Sequence, residues 1–463
     1  MKDFIIALVF MVEAVLWIPG LQGMCYAFHN GGVAGCEGCH TMHNSKDNVA
    51  VAKTGGSIQF YGYGYLLKSS DESSTCLNCH KGTAGYQILS GVMGSFGVPS
   101  QMTPGGDFAW LNITTTYVTS LGAAGNNPGT RHGHNVVAAD YGLGPSLVLT
   151  TAPGGTYPSA KLSCTSCHDP HGAFRVSSSY QIVRPVSGQN VGPIGGSGSS
   201  GTQLPTAART VGVYRLLGGI NYLPASVQDT PVLAFANQPP FAFAPSAYNR
   251  SEAVTDTRVA YGSGMSEWCD NCHRNIHGDA NPTNQPHPTG STTYTGITSA
   301  LSNVDSQSIT IATRYNNYIS SGNLNGMAAT SYTSMVPYEE GLTMNAFTYA
   351  DLATRAVNNG SQKGGPGYYA GGNERVMCLT CHRAHASAWP KILRWNVEYG
   401  QYLTVQGVYP GIDSPILEAK YGEYNLGYLQ VQVQRSFYDR PANIYALYQK
   451  SLCKKCHNTS SDS

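Results

Sequence analysis

Six copies of the pattern Cys-x-x-Cys-His run through this 463-residue chain. In this pattern two thiols can form thioether bonds with the vinyl groups of one porphyrin, while the adjoining histidine ligates its iron. Random placement of the 13 cysteines and 14 histidines would give about 0.01 copies. The copies, numbered motif 1 to motif 6 in chain order, therefore predict six covalently attached c-type haems. The attachment cysteines are Cys36, Cys39, Cys76, Cys79, Cys164, Cys167, Cys269, Cys272, Cys378, Cys381, Cys453 and Cys456, and the proximal histidines are His40, His80, His168, His273, His382 and His457.

Disulfide bonds and zinc sites are the other common uses of cysteine in such a chain. Twelve of the 13 cysteines lie inside the motifs. Neither a disulfide nor a zinc site requires a histidine directly after every second cysteine. The pattern therefore favours haem over both alternatives.

The sixth coordination position of each iron needs a second ligand. No motif carries lysine in place of its terminal histidine, and the 11 methionines are scattered along the chain. Because eight histidines remain for six irons, the sequence predicts bis-histidine coordination throughout, which leaves no open site for a substrate. The remaining histidines are His29, His43, His132, His134, His171, His277, His287 and His385.

Four of these histidines closely follow a motif. His43, His171 and His385 lie three residues after a proximal histidine, and His277 lies four residues after one. On a helical turn such pairs share one face, so the second histidine cannot reach the far side of the same porphyrin. We expect each to ligate a neighbouring haem, with a surface or propionate-binding role as the alternative.

Two further histidines lie in loops far from any motif. His134 follows a glycine and His287 lies between two prolines, and such segments can turn sharply over a flat porphyrin. Both are predicted distal ligands. His132 is the expected spare, and His29 is an additional distal candidate.

The N-terminus has the layout of a secretory signal peptide. Lys2 precedes an apolar stretch over residues 4–18, and a short polar region ends at Ala27. Cleavage after Ala27 would remove Cys25; lipidation of Cys25 is the alternative, although Met24 stands where a small residue is needed. We expect residues 1–27 to be a signal peptide. The chain should then be exported through the periplasm to the outer surface or the cell exterior, with no transmembrane segment.

The composition indicates few long regular elements. Charged residues make up 11% of the chain, and 54 glycines and 25 prolines interrupt it. We predict a single domain over residues 28–463, mostly irregular coil with short helices and few short strands, packed around a chain of six haems. Helical turns are expected at each motif and over residues 443–455, and a strand over residues 107–118.

Net charge argues against nucleic-acid binding. The formal charge is +1 for the whole sequence and +2 without residues 1–27. Two propionates on each haem would bring the loaded protein to about −10 if all of them ionise. A negative protein is suited to cationic or mineral partners rather than to nucleic acid.

Several segments resemble OmcS-type cytochromes, the extracellular hexahaem proteins of metal-reducing bacteria that form conductive filaments. The resemblance implies a coil-rich fold and subunits that stack head to tail with their haems in one continuous chain. In that family a histidine just after the first motif ligates a haem of the next subunit, and the matching position here is His43. The matching segments are residues 28–43, 101–108, 150–157, 258–277 and 378–385, while residues 187–203 and the region after 395 diverge.

Together these features predict an electron carrier and not an enzyme. Saturated, closely spaced haems suit long-range electron transfer from other multihaem cytochromes to extracellular acceptors such as metal oxides or electrodes, through a homopolymer of this chain. A monomeric electron shuttle with the same fold is one alternative. A multihaem reductase with one open iron is the other, and the surplus of histidines argues against it.

Overall fold

The computed structural model describes residues 36–41, 66–82, 87–93, 98–100, 103–185, 204–244, 259–276, 374–397, 402–417 and 422–439, with shorter pieces within 45–58, 194–199, 288–313, 337–352, 420 and 441–450. Motifs 1 to 5 lie in this part of the chain. Outside it lie residues 1–27, Cys25, His29, His43, His277, His287 and motif 6 (Cys453–His457).

Short helical turns carry the motifs. Motif 3 forms a single 3₁₀ turn over Cys164–Ser166, and the other described motifs lie in α-helices. One turn is enough because residues three apart are neighbours on a helix, which brings both cysteines of a motif to one side. The described α-helices are α1 (Cys36–Cys39), α2 (Glu72–His80), α3 (Met265–His273), α4 (Cys378–Cys381) and α5 (Gln430–Ser436). The other 3₁₀ turns are Phe108–Asn112, Gly129–Arg131, Ala139–Tyr141, Ser159–Lys161, Tyr214–Leu216, Ala225–Val227, Pro231–Leu233 and Pro390–Ile392.

The Asp71 carboxylate caps helix α2. One of its oxygens accepts a hydrogen bond from the Ser74 N–H at 2.7 Å, and the other accepts from the Ala139 N–H at 2.8 Å. Asp71→Ala should lower the free energy of unfolding by about 1–2 kcal/mol, because it removes the cap and leaves a second N–H unpaired. Urea denaturation of the haem-loaded protein measures this loss. Asp71→Asn keeps one acceptor oxygen and should lose less, so equal losses would contradict the capping role.

The strands are short and mostly antiparallel. They are β1 (Ser45–Lys46), β2 (Val49–Ala50), β3 (Lys53–Thr54), β4 (Ser57–Ile58), β5 (Val92–Met93), β6 (Val98–Pro99), β7 (Thr115–Val118), β8 (Ala124–Asn127), β9 (Arg175–Val176), β10 (Ile182–Val183), β11 (Val211–Gly212), β12 (Ala242–Phe243), β13 (Ala260–Tyr261), β14 (Thr293–Tyr294), β15 (Ile297–Thr298), β16 (Glu339–Glu340), β17 (Glu374–Arg375), β18 (Tyr402–Val405) and β19 (Tyr448–Lys450). Most pair in twos. One sheet has the order β10-β9-β11, and another has the order β12-β13-β16-β17, in which β13 and β16 are parallel.

The largest buried cluster is aromatic. Trp389 packs edge-on against Tyr428 with ring centres 5.6 Å apart, and Tyr409 stacks on Phe437 at 5.4 Å. Burying each such ring contributes about 1.5–3 kcal/mol of transfer free energy. The cluster includes Trp389 and therefore anchors residues 384–396, which carry one of the predicted distal histidines.

Two histidine-bearing segments pair through their backbones beside this cluster. The His134 N–H donates to the His385 carbonyl at 3.0 Å, and the Ser387 N–H donates to the His132 carbonyl at 2.9 Å. The His385 N–H in turn donates to the Gly105 carbonyl at 2.7 Å. Three stretches that are far apart in sequence therefore hold His134 and His385 on one rigid piece of backbone.

The coil-rich fold with short helices and strands is confirmed, but two local predictions need correction. The strand predicted over residues 107–118 exists only as β7, because the Asp107 side chain accepts from the Ala109 N–H at 2.8 Å and starts a 3₁₀ turn. The helix predicted over residues 443–455 is wrong at the described residues 448–450, which form strand β19 and pair with β18. The described part of the chain contains no helix with the length and apolarity that a bilayer crossing requires.

Candidate haem sites

The cysteines of the described motifs are available for haem attachment. All ten cysteines of motifs 1 to 5 are free thiols. No disulfide bond joins these ten cysteines. Each pair lies on or at the end of one helical turn with its histidine directly following, which is the arrangement that thioether attachment and proximal ligation require.

Most of the described histidines are oriented by main-chain carbonyls. A carbonyl oxygen can only accept, so a nearby Nδ1 must carry the proton, and Nε2 then has a lone pair free for a metal. The Nδ1–carbonyl distances are 2.7 Å for His168 to Arg215, 2.9 Å for His273 to Pro153, 2.8 Å for His382 to Lys391, 2.8 Å for His134 to Ala384 and 3.3 Å for His385 to Gly106.

Three pairs of histidine rings have the separation of two axial ligands. With a metal–nitrogen distance of about 2.0 Å and about 1.1 Å from nitrogen to ring centre, two imidazoles on opposite faces of one iron lie about 6.2 Å apart. The pairs have ring centres separated by 6.2 Å for His40 and His171, 6.1 Å for His134 and His273, and 6.3 Å for His168 and His385. The residues present therefore fit iron held between histidines.

Burial keeps these rings in the form that binds metal. It lowers the pKa of His134 to about 4 and that of His385 to about 3, with neighbouring histidines adding to the effect. A neutral imidazole is the ligating form. Both side chains are therefore ready to ligate at neutral pH.

The structure brings together histidines of different motifs. The ring of His171, which follows motif 3, faces the proximal histidine of motif 1, and that of His385, which follows motif 5, faces the proximal histidine of motif 3. His134 faces the proximal histidine of motif 4. Among the described residues no histidine ring faces His382. The predicted ligands His29, His43, His277, His287 and His457 lie outside the described residues.

The helical-face argument is wrong in its geometry for His385. The helical turn of motif 5 ends at His382, whose backbone is extended (φ −107°, ψ 160°). Chain direction after the motif, not a shared helical face, therefore carries His385 away from the haem of its own motif.

Motifs 1, 3 and 5 share a feature that we call the leucine clamp. In each, the N–H after the proximal histidine donates to the carbonyl before a leucine, and the N–H after that leucine donates to the carbonyl of the second motif cysteine. These bonds measure 2.7–3.0 Å. The residue before each clamp leucine has a positive φ, 55° at Leu66, 54° at Leu216 and 60° at Ile392. The clamp leucines are Leu67, Leu217 and Leu393.

The clamp was not predicted from the sequence. It places the carbonyls of Arg215 and Lys391 against the proximal histidines of motifs 3 and 5. A signal is present, because Leu or Ile followed by Leu occurs at all three sites. The distance from motif to dipeptide varies, which hides the repeat.

Motif 2 packs against motif 3, and motif 4 packs against motif 5. The Cys164 N–H donates to Ser73 Oγ at 3.0 Å, and the Cys378 N–H donates to Ser266 Oγ at 3.2 Å. Each serine lies three residues before the first cysteine of its motif. The thiols of Cys76 and Cys164 are hydrogen-bonded neighbours in the first pair, as are those of Cys269 and Cys378 in the second. Porphyrins attached at these cysteines would therefore lie with their edges close together.

His132 has a different environment from the paired histidines. Its ring is fully buried, with Nδ1 3.2 Å from the Trp110 carbonyl oxygen and Nε2 2.8 Å from Oδ1 of Asn127. Burial lowers the pKa of His132 to about 4. Both ring nitrogens therefore have protein partners.

The chain is similar in sequence and fold to known proteins. No family profile matches the chain. It is 42% identical over 445 residues to the C-type cytochrome OmcS of Geobacter sulfurreducens, covering 93% of this chain and 94% of OmcS. Two solved structures, an outer membrane cytochrome S filament and OmcS nanowires, both from Geobacter sulfurreducens, are similar with TM-scores of 0.76. Each is 41% identical, with 93% of this chain and 99% of the other covered.

Proposed function

Because this chain belongs to the OmcS family of c-type cytochromes, we propose that it carries electrons over long distances outside the cell through six bis-histidine haems. Subunits of the chain polymerise head to tail into a filament, a protein nanowire. When bound, each haem supplies an iron that accepts and releases one electron. The polypeptide sets the spacing, ligation and surroundings of these irons.

The observation that carries the proposal is the set of three ring pairs near 6.2 Å. We assign His171, His385 and His134 as distal ligands opposite His40, His168 and His273. Each pair joins separate parts of the chain, so neighbouring haems share protein and stay close. Both axial positions are filled, which suits electron transfer rather than substrate binding.

The pairing follows a rule that extends to His43. The histidine three residues after motif 3 serves motif 1, and the one after motif 5 serves motif 3. In both cases the ligand comes from the odd-numbered motif that follows the one it serves. Continued into the next subunit, this order pairs His43, which follows motif 1, with motif 5. Among the described residues no histidine ring faces His382, the proximal histidine of motif 5. We propose that His43 reaches the His382 iron of the next subunit, as the filament form of the OmcS relatives supports.

The remaining ligands and partners complete the proposal. His80 and His457 take their distal ligands from His29, His277 and His287, one of which is surplus. Residues 1–27 are the export signal and residues 28–463 one haem-threaded domain, placed at the outer surface or beyond after passage through the periplasm. Other multihaem cytochromes donate the electrons, and metal oxides or electrodes accept them.

Electron paramagnetic resonance of the purified protein tests the ligation. We expect only low-spin ferric signals, because every iron has two imidazoles, and a mass that exceeds the polypeptide by six haems. A high-spin signal equivalent to one haem per subunit in intact filaments would contradict the proposal and favour a reductase. Fewer than six haems by mass would contradict the count alone.

A further inference from the structure

The three leucine clamps carry different charges at matched positions. The residue after the proximal histidine is Thr41, Asp169 or Arg383 in motifs 1, 3 and 5. The residue after the clamp leucine is Lys68, Gly218 or Arg394 in the same order. Because the clamp hydrogen bonds fix these positions alike in all three motifs, the differences are substitutions at one geometric site. Motif 5 has two positive charges there, whereas motif 3 has one negative charge.

The charges in motif 5 are buried. Arg383 and Arg394 are 6% and 5% exposed. Arg394 Nε donates to the Leu379 carbonyl at 2.7 Å, inside the helix that carries the attachment cysteines. The Arg394 N–H also donates to the Cys381 carbonyl at 2.8 Å. The buried Arg394 charge is therefore held beside the turn that directly precedes the proximal histidine of this motif.

Arg383 directly follows the proximal histidine of motif 5. Its Nη1 donates to the Pro104 carbonyl at 2.8 Å, and its guanidinium lies 4.1 Å from the centre of the Tyr438 ring. Pro104 adjoins Gly105, whose carbonyl binds the His385 N–H. The charge is thus held in the short segment between His382 and His385.

Motif 3 has the opposite charge at the matched position. Asp169 is 5% exposed, and its two oxygens accept from the N–H groups of His171 at 3.0 Å and Ala173 at 2.6 Å. The position two before the clamp leucine is basic in both motifs, half-buried in motif 3 (Arg215) and exposed in motif 5 (Lys391). The fully buried charges that differ between the two motifs are therefore Asp169, Arg383 and Arg394.

Fixed charge biases a redox couple. Reduction adds one electron to the iron, so a nearby positive charge favours the reduced form and a negative charge favours the oxidised form, most strongly where water is excluded. We infer that Arg383 and Arg394 are positioning residues that make the motif 5 haem the most easily reduced of the three clamp haems, while Asp169 makes the motif 3 haem the least. This inference rests on the ligation proposed above. Of the three clamp haems, the one at motif 5 would then hold an electron most readily.

Spectroelectrochemical titration of the haem-loaded protein, fitted to six one-electron steps, tests the inference. Arg394→Gln and Arg383→Gln should each lower the reduction potential of one step by about 59 mV. This shift corresponds to a tenfold smaller ratio of reduced to oxidised haem at a fixed electrode potential. Asp169→Asn should raise one step by a similar factor. Lys161→Gln removes an exposed charge paired with Asp229 and should leave every step in place.

Spectra separate this inference from the ligation proposal. Unchanged reduction potentials in a variant that stays low-spin would overturn the charge effect alone. A shift of the opposite sign would do the same. A high-spin signal in the wild-type protein would instead overturn the proposed bis-histidine ligation. Arg383→Lys and Arg394→Lys keep the charge and should keep the wild-type potentials. If Arg383→Gln fails to fold, Arg394→Gln and Asp169→Asn decide the question, because they act at separate positions with opposite signs.

Discussion

His43→Ala is expected to abolish filament assembly and to leave one iron per subunit with a single axial histidine. The proposed contact joins His43 to the iron opposite His382 in the next subunit, so its loss removes a metal–ligand bond from every interface. Negative-stain microscopy should find no filaments. Electron paramagnetic resonance should find one high-spin haem per chain.

His171→Ala is the matched control for this variant. His171 occupies the same position after motif 3 that His43 occupies after motif 1, but its ring faces His40 within the subunit at 6.2 Å. The control should also gain one high-spin haem, yet it should still form filaments. Filaments of normal length from His43→Ala, or loss of filaments from both variants alike, would contradict an intersubunit role for His43.

Gly106→Ala is expected to destabilise the protein by at least about 3 kcal/mol and to disturb His385. Gly106 has φ +86°, and an added Cβ would lie 1.7 Å from the Ala386 carbonyl oxygen. The Gly106 carbonyl also accepts from His385 Nδ1. Moving this backbone therefore removes the group that orients a proposed distal ligand. Thermal unfolding and the low-spin signal of the haem-loaded protein measure both effects.

Gly142→Ala separates backbone strain from steric clash. Gly142 has φ +71°, but no atom lies within 4 Å of an added Cβ. We expect a loss of about 1–2 kcal/mol from the left-handed backbone alone, with unchanged haem spectra. Equal losses in the two variants would show that contact with Ala386 plays no part.

The chemistry of this protein is local in sequence, and the ligand pairing is not. Two cysteines and a histidine on one turn specify attachment by themselves, so the motifs could be identified without a structure. The pairing of His134 with His273 depends on backbone contacts between segments around residues 134 and 385. No periodic pattern in the sequence predicts such a contact.

Backbone strain explains a second gap between sequence and structure. Arg215 and Lys391 have φ of 49° and 61°, a conformation in which residues other than glycine are uncommon. Local preference therefore predicts neither clamp. Two hydrogen bonds to the motif hold each clamp in place. The strained backbone directs a carbonyl toward a proximal histidine. The repeat becomes visible only when motifs 1, 3 and 5 are compared in three dimensions.

The proposed ligation rule links saturation of the irons to assembly. Under this rule, motifs 1 and 3 receive distal ligands from the segments that follow motifs 3 and 5, and no described histidine ring of the same chain faces the proximal histidine of motif 5. The first motif of another subunit satisfies the rule. Binding of the next subunit would then also complete the coordination of the iron at motif 5.

Cryo-electron microscopy of the purified, haem-loaded protein is the most direct test of this account. The account predicts a filament in which Nε2 of His43 from one subunit ligates the iron opposite His382 of the next, with His171, His385 and His134 opposite His40, His168 and His273. A map in which His43 ligates a haem of its own subunit, or in which His29, His277 or His287 of the same chain occupies the position opposite His382, would contradict it.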